Sequence, residues 1–286
     1  MHPRNKYQGN YDFKNLISDY PPLSNYIIQN PRGDDSITFS DSASVKALNK
    51  ALLKSYYNIE YWDLPEGYLV PPIPSRSDYI HHVADLLDQN KSATQVTMLD
   101  IGTGANLIYP IVGISAYGWT VVGCDTDQQA LNNAQTILDQ NPQLGRACTL
   151  RHQPNKKHIL KGVINSDDRF DIVVCNPPFH TSALKAQKAS GRKRKNLKYK
   201  ESSSTLNFGG QSHELWYPGG ELAFLKIYIR QSKTYRSQCG WFTALISSHR
   251  ILDSLQNLLK EVNAKETKVI DMKHGQKVSR ILGWKF

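Results

Sequence analysis

The chain of 286 residues has little cysteine, and none of it is grouped. Cys124, Cys148, Cys175 and Cys239 lie far apart and form no C-x-x-C pair, which speaks against a zinc site, and they sit in apolar runs that predict buried free thiols. His81 and His82 have no partner at metal-ligand spacing, so no metal is expected. No uncharged apolar run approaches the ~20 residues that cross a bilayer, and Met1 to Tyr20 lacks the apolar stretch of a secretory leader. A cytoplasmic chain with no membrane role is expected. Acidic residues are the minority, 25 against 35 Lys and Arg, for a formal charge of +10. That balance suits a polyanionic partner such as nucleic acid without requiring one. No internal repeat is present, and oligomeric state leaves no trace.

What is present divides the chain near residue 75. Residues 1–75 are rich in Tyr, Asn, Pro and basic groups and read as a small, mainly helical module. Val45, Leu48, Leu52 and Tyr56 recur at helical spacing behind the cap candidates Ser40 and Asp41, and a shorter helix or turn is expected around Phe13 to Ile17 before Pro21 and Pro22. Pro65 to Pro74 reads as an extended connector. Over 76–286 a helix capped by Ser75 or Ser77 carries Ile80, Val83, Ala84 and Leu87. Apolar strands follow at Val96–Asp100, Thr120–Asp125, Cys148–Arg151, Phe170–Cys175, Trp241–Ser247, Lys268–Met272 and Arg280–Phe286. Helices are expected behind Asp127 and from Leu252 to Val262. Continuous apolar strands alternating with helices predict an α/β, doubly wound, mostly parallel seven-stranded sheet covered on both faces. One insert, 181–210, breaks the pattern: Lys185 to Lys200 holds eight basic residues in sixteen and no acid. Such mutual repulsion predicts a loop that settles only on an anion.

Two strand ends carry the first chemical signal. Asp100-Ile101-Gly102-Thr103-Gly104-Ala105-Asn106 turns from a strand through two glycines into a helical stretch, where a backbone without Cβ can approach a ligand. Asp125 closes the next strand about twenty residues on, the spacing at which a carboxylate reaches the ribose hydroxyls of a nucleoside cofactor. The turn has no third glycine for a dinucleotide fingerprint and no G-K-[ST] for a phosphate loop. It resembles the first motif of class I methyltransferases. That resemblance implies S-adenosyl-L-methionine, with Asp100 accepting from its amino group, the amides of Gly102, Thr103 and Gly104 facing its carboxylate, and Asp125 on the ribose. Gln153 or its neighbour Asn155, just past the third strand, is placed to meet the cofactor adenine.

After the strand Phe170–Cys175 comes Asn176-Pro177-Pro178-Phe179. Two prolines fix an extended backbone and remove amide donors, leaving carbonyls free to accept. An exocyclic amino group of adenine is a weak nucleophile because its lone pair is spread into the ring. Were the Asn176 side-chain oxygen and the Pro177 carbonyl to accept from its two N–H groups, positioning and dipoles would carry the transfer. Asn176 is too weakly basic to be a general base. Phe179 would stack on the base, which must be unpaired or flipped out. His180 receives no proton-transfer role.

With Ile73-Pro74-Ser75-Arg76-Ser77-Asp78-Tyr79-Ile80-His81, Cys175 to His180 and Gly209-Gly210-Gln211-Ser212-His213-Glu214-Leu215-Trp216, essentially the whole chain resembles the bacterial 23S ribosomal RNA adenine-N6 methyltransferases. These share their core with a eukaryotic U6 snRNA adenine methyltransferase. The resemblance implies N6-methylation of a specific adenine in large-subunit ribosomal RNA and catalysis at Asn176, Pro177, Pro178 and Phe179. It also implies RNA contact by the N-terminal module, through Arg4 and Lys6, and by the basic loop, through Lys188, Arg192, Lys193, Arg194, Lys195 and Lys198. Tyr7, Tyr11 and Tyr26 could stack on unpaired bases or pack the module's core. A protein-glutamine N5-methyltransferase, which presents the same two acceptors, and a DNA adenine-N6 methyltransferase are the alternatives. A cofactor-free RNA-binding domain is a fourth, opposed by the intact Asp100, Gly102, Asp125 and Asn176.

Overall fold

Asp12 starts the first helix by accepting from the Asn15 amide, and α1 (Phe13–Asp19) buries Phe13 and Leu16. Pro21 and Pro22 end it and open a 3₁₀ turn over Pro21–Tyr26. A hairpin follows, β1 (Ile27–Gln29) against β2 (Asp35–Ile37), whose three-residue strands are too short to declare themselves by alternation. Asp41, one of the two expected caps, accepts from Ala43 and Ser44 at the head of α2 (Ser42–Tyr57). The next helix departs from the sequence reading. Its spacing suggests a cap at Ser75 or Ser77, yet α3 (Ile73–Ala84) starts behind Pro72 with no side-chain cap. Pro74 falls in its first turn, where a missing amide loses no helical bond.

The computed structural model describes residues 1–87, 96–179, 216–274 and 277–286. Beyond α3 it alternates as expected: β3 (Thr97–Ile101), α4 (Ile108–Tyr117), β4 (Thr120–Asp125), α5 (Gln128–Asp139), a single turn α6 (Pro142–Gly145), β5 (Cys148–His152), β6 (Phe170–Cys175), α7 (Gly220–Thr234), β7 (Cys239–Ile246), α8 (Leu252–Glu261), β8 (Glu266–His274) and β9 (Lys277–Lys285). The strands form one seven-stranded sheet in the order β5-β4-β3-β6-β7-β9-β8. The first five neighbours run parallel, while β9 is antiparallel to both β7 and β8. This is the mostly parallel, seven-stranded α/β sheet that the alternation predicts. Strand order reverses between β3 and β6, and in open α/β sheets such a switch point opens a crevice at the carboxyl ends of the strands.

Two apolar cores sandwich the sheet. One gathers Leu16, Leu52 and Trp62 with Tyr79, Ile111 and Met98, so residues 1–75 share a continuous interior with one face. The other holds Leu225, Tyr228, Leu255 and Trp284, with Phe242 and Trp284 stacked at 5.9 Å. Such wholly buried aromatics contribute on the order of 2–3 kcal/mol each. All four cysteines are buried and free, and burial pushes their thiols above the ordinary range. Among the described residues no helix is long and apolar enough to cross a membrane.

Candidate active site

Register aligns three strand ends. Ile101 lies opposite Cys124 on β4 and Cys175 on β6, so Gly102, Asp125 and Asn176 emerge side by side at the switch point. They open onto one cavity of about 510 Å³ lined also by Thr103, Gly104, Arg76, Tyr109, Gln153, Pro178, Trp216, Tyr217 and Phe224. The amides of Gly102 and Thr103 both bond the Cys124 carbonyl at 2.9 Å. Gly102 and Gly104 have φ of +75° and +62°, a left-handed backbone that favours glycine. A Cβ on Gly102 would meet nothing within 4 Å, so the turn presents bare backbone to the cavity.

Asp125 is held from both sides, one oxygen accepting from the Gly104 amide and the other from the Asp127 amide, each at 2.9 Å. Burial raises its pKa despite those bonds. Asp100 is wholly buried. Neither of its carboxylate oxygens, nor the Thr103 hydroxyl, has a hydrogen-bond partner. Burial pushes the Asp100 carboxyl up to about 7; the Asp125 charge adds to the rise, while the nearby Thr103 hydroxyl and Arg76 oppose it. The Asn176 Oδ1 is likewise buried without a partner. A buried acceptor left unpaired costs ~1–3 kcal/mol, so Thr103 and Asn176 on the cavity wall, with the Asp100 carboxylate buried behind it, mark a place shaped for a ligand with donors. A zwitterionic amino acid joined to a nucleoside fits: Asp100 would take the ammonium, Arg76 the carboxylate and Asp125 the ribose.

The other residues singled out from the sequence fare differently. Gln153 lines the cavity, its amide bridging a loop by donating to the Lys161 carbonyl at 2.8 Å and accepting from the Asn155 amide at 3.0 Å. Pro177 is buried and Phe179 half-buried, and neither is part of the wall that the described residues form. The aromatic wall is instead Trp216, Tyr217 and Phe224, with Tyr217 edge-on to Phe224 at 5.4 Å. Of these only Trp216 fell within a motif block. Arg76, whose guanidinium lies 5.9 Å from the Tyr109 ring, also fell within a motif block, but no role was read for it there.

Arg4 has an intramolecular role, bonding the His81 carbonyl at 2.9 Å and pairing with Asp85. Lys6 donates to the Tyr56 carbonyl at 2.7 Å and lies over the Tyr57 ring. Tyr7 is buried against Tyr56 and Tyr57, while Tyr11 and Tyr26 are partly buried against the same core. Packing, the second option for these tyrosines, is what the geometry displays. His180, Lys188, Arg192, Lys193, Arg194, Lys195 and Lys198 lie outside the described residues.

Acids at the ends of β3 and β4, a bare glycine turn and an unpaired amide oxygen across the switch point together make a class I methyltransferase. The chain belongs to the RNA methyltransferase family, whose profile matches residues 1–286. Proteins called ribosomal RNA large subunit methyltransferase F are similar throughout. That of Psychrobacter sp. (strain PRwf-1) is 48% identical over 303 residues, covering 100% of this chain and 93% of its own. That of Bacteroides thetaiotaomicron is 47% identical over 299 residues, covering 100% and 97%. The human METTL16 catalytic domain in complex with MAT2A 3'UTR hairpin 1 superposes with a TM-score of 0.84 at 29% identity, covering 100% of this chain and 95% of its own. The N-terminal domain of human METTL16 in complex with SAH does so with a TM-score of 0.80 at 26% identity, covering 100% and 98%.

Proposed function

We propose that this chain methylates the exocyclic N6 of one adenine in large-subunit ribosomal RNA, using S-adenosyl-L-methionine. The observation that carries the reading is the Asn176 oxygen, buried and unpaired on a residue that lines the same cavity as the glycine turn. Relatives named for large-subunit ribosomal RNA span the full chain, and a structural neighbour holds an RNA hairpin. The cofactor, when bound, supplies an electrophilic methyl group on sulfur. Asn176 accepts one N–H of the adenine amine and the Pro177 carbonyl the other. This turns the nitrogen lone pair out of conjugation and toward the methyl carbon. No side chain need act as base, because the nitrogen becomes acidic once alkylated and loses its extra proton to water.

A flipped base needs a flat surface to rest on, and Tyr217 and Trp216 offer one beside the Phe179 proposed for that role. The basic insert would hold phosphates through Lys188, Arg192, Lys193, Arg194, Lys195 and Lys198 in a salt-sensitive, largely sequence-independent way. A ribosomal substrate places the enzyme in the cytoplasm. The test is mass spectrometry of large-subunit RNA fragments from cells lacking the gene, complemented with wild type or Asn176→Ala, beside in vitro transfer to RNA, DNA and release-factor protein. One N6-methyladenine should vanish on deletion and return only with wild type. Label entering protein and never RNA would overturn the reading in favour of glutamine methylation.

A further inference from the structure

Between α2 and α3 the chain runs as a strap along the cofactor half of the sheet, and its fastenings are unequal. Asn141 ties the strap to the end of α5: it accepts from the Glu60 and Tyr61 amides at 2.9 and 3.3 Å and donates to the Tyr61 and Ile137 carbonyls, each at 2.7 Å. Asn133, on α5, does something further. Its one NH₂ donates to the strap at the Asp63 carbonyl, 2.9 Å, and to the glycine turn at the Ala105 carbonyl, 2.8 Å. The Trp62 indole N–H reaches the next carbonyl of that turn, Asn106, at 2.8 Å. Leu107, which follows, has φ of +53°, a left-handed conformation unfavourable for a residue bearing Cβ. The turn is therefore strained where it enters α4, and the two carbonyls just before that point are those gripped from outside. Further along, Leu69 and Pro71 of the strap line the cavity itself.

We propose that Asn133 and Trp62 are positioning residues for the cofactor: by pinning the Ala105 and Asn106 carbonyls to the strap they hold the Gly102–Gly104 turn in binding geometry, and with it the Asp125 carboxylate that the Gly104 amide fixes. Trp62 and Asn133 thereby support cofactor affinity from outside the cavity wall. The inference rests on the reading of the glycine turn as the cofactor site, and an Asp125→Ala arm tests that reading separately.

The experiment measures S-adenosylhomocysteine affinity by calorimetry and melting temperature for the full chain and for Asn133→Ala, Trp62→Phe, Asn141→Ala and Asp125→Ala. Losing both grips of Asn133 should weaken binding about tenfold, and Trp62→Phe, which keeps an aromatic ring but loses the indole N–H, about threefold. Asn141→Ala should lower the melting temperature as much as Asn133→Ala while binding within about twofold of wild type, because none of its bonds reaches the glycine turn. At saturating cofactor Asn133→Ala should keep its kcat, the loss appearing in the cofactor KM. Should Asn133→Ala and Trp62→Phe only lower the melting temperature, with affinity unchanged as in Asn141→Ala, the proposal is overturned. Should Asn133→Ala fail to fold, Trp62→Phe alone decides by the same readout. Wild-type affinity in Asp125→Ala would place the cofactor elsewhere and remove both readings together.

Discussion

The two ends of the same parallel strands are built to opposite rules. Where β6 and β7 begin, polar side chains are paired: the Gln238 amide serves the carbonyls of Asn165, Ser166 and Asp168, and Asp171 accepts from the Thr97 amide at 2.9 Å. The approach is so close that a Cβ on Gly240 would come within 2.6 Å of the Asp171 carbonyl. Where β3 and β6 finish, Asp100, Thr103 and Asn176 are buried with unanswered polar atoms. The opening end is built for cohesion. The closing end gives up stability to keep acceptors ready, a division expected when a site must bind something that is not always there.

Replacements at each end sharpen or break this contrast. Asn176→Ala should cost the most activity, about a hundredfold to a thousandfold in single-turnover methyl transfer, as removal of one preorganised dipole typically does. Its melting temperature should hold or rise, since an unpaired buried oxygen is removed; a fall together with intact activity would break the contrast. Asp125→Ala should weaken S-adenosylhomocysteine binding about tenfold to a hundredfold in calorimetry, having lost a charged acceptor for two hydroxyls.

Next in size is a pH effect. With the free-state Asp100 carboxyl held up to about 7, an ammonium placed beside it must drive the proton off, so the bound form prefers the carboxylate. Cofactor affinity should then fall below pH 7, about tenfold per unit, with proton release visible as a dependence of binding heat on the buffer. Asp100→Asn should abolish that slope; a slope that survives would assign it elsewhere. By the same sign, the free protein loses stability as pH rises from the ordinary carboxylate value of 3.8 toward 7, because the folded state holds the proton longer. The smallest functional effect belongs to the opening end. Gln238→Ala should lower stability in urea titration by about 1–2 kcal/mol and leave kcat unchanged, and an impaired kcat with unchanged stability would contradict its assignment to cohesion.

Much of the sheet was legible beforehand because strands buried on both faces are apolar along their whole length, as in Phe170–Cys175 and Thr120–Asp125, whose observed bounds are those expected. α7 was missed for the converse reason. Its buried face includes Glu221 and Ser232, which blur the apolar period. Each is satisfied from a distant strand, Glu221 by the Ser247 amide at 2.6 Å and Ser232 by the Trp284 indole at 2.9 Å. In the site, Asp100, Asp125 and Asn176 announced themselves through strand ends and their neighbours. Arg76, Tyr109 and Tyr217 did not, because what brings them together is the packing of α3, α4 and the start of α7 around one cavity, which no local spacing encodes.

β8 bonds to a single neighbour, β9, which in turn lies inside the sheet against β7. Removing residues 277–285 would thus strip away two strands rather than one and bare the Phe242–Ile246 margin. A bare strand margin invites pairing with other chains. Fusions or trims at that end should therefore begin beyond residue 285, since losing β9 would turn a finished border into a template for aggregation.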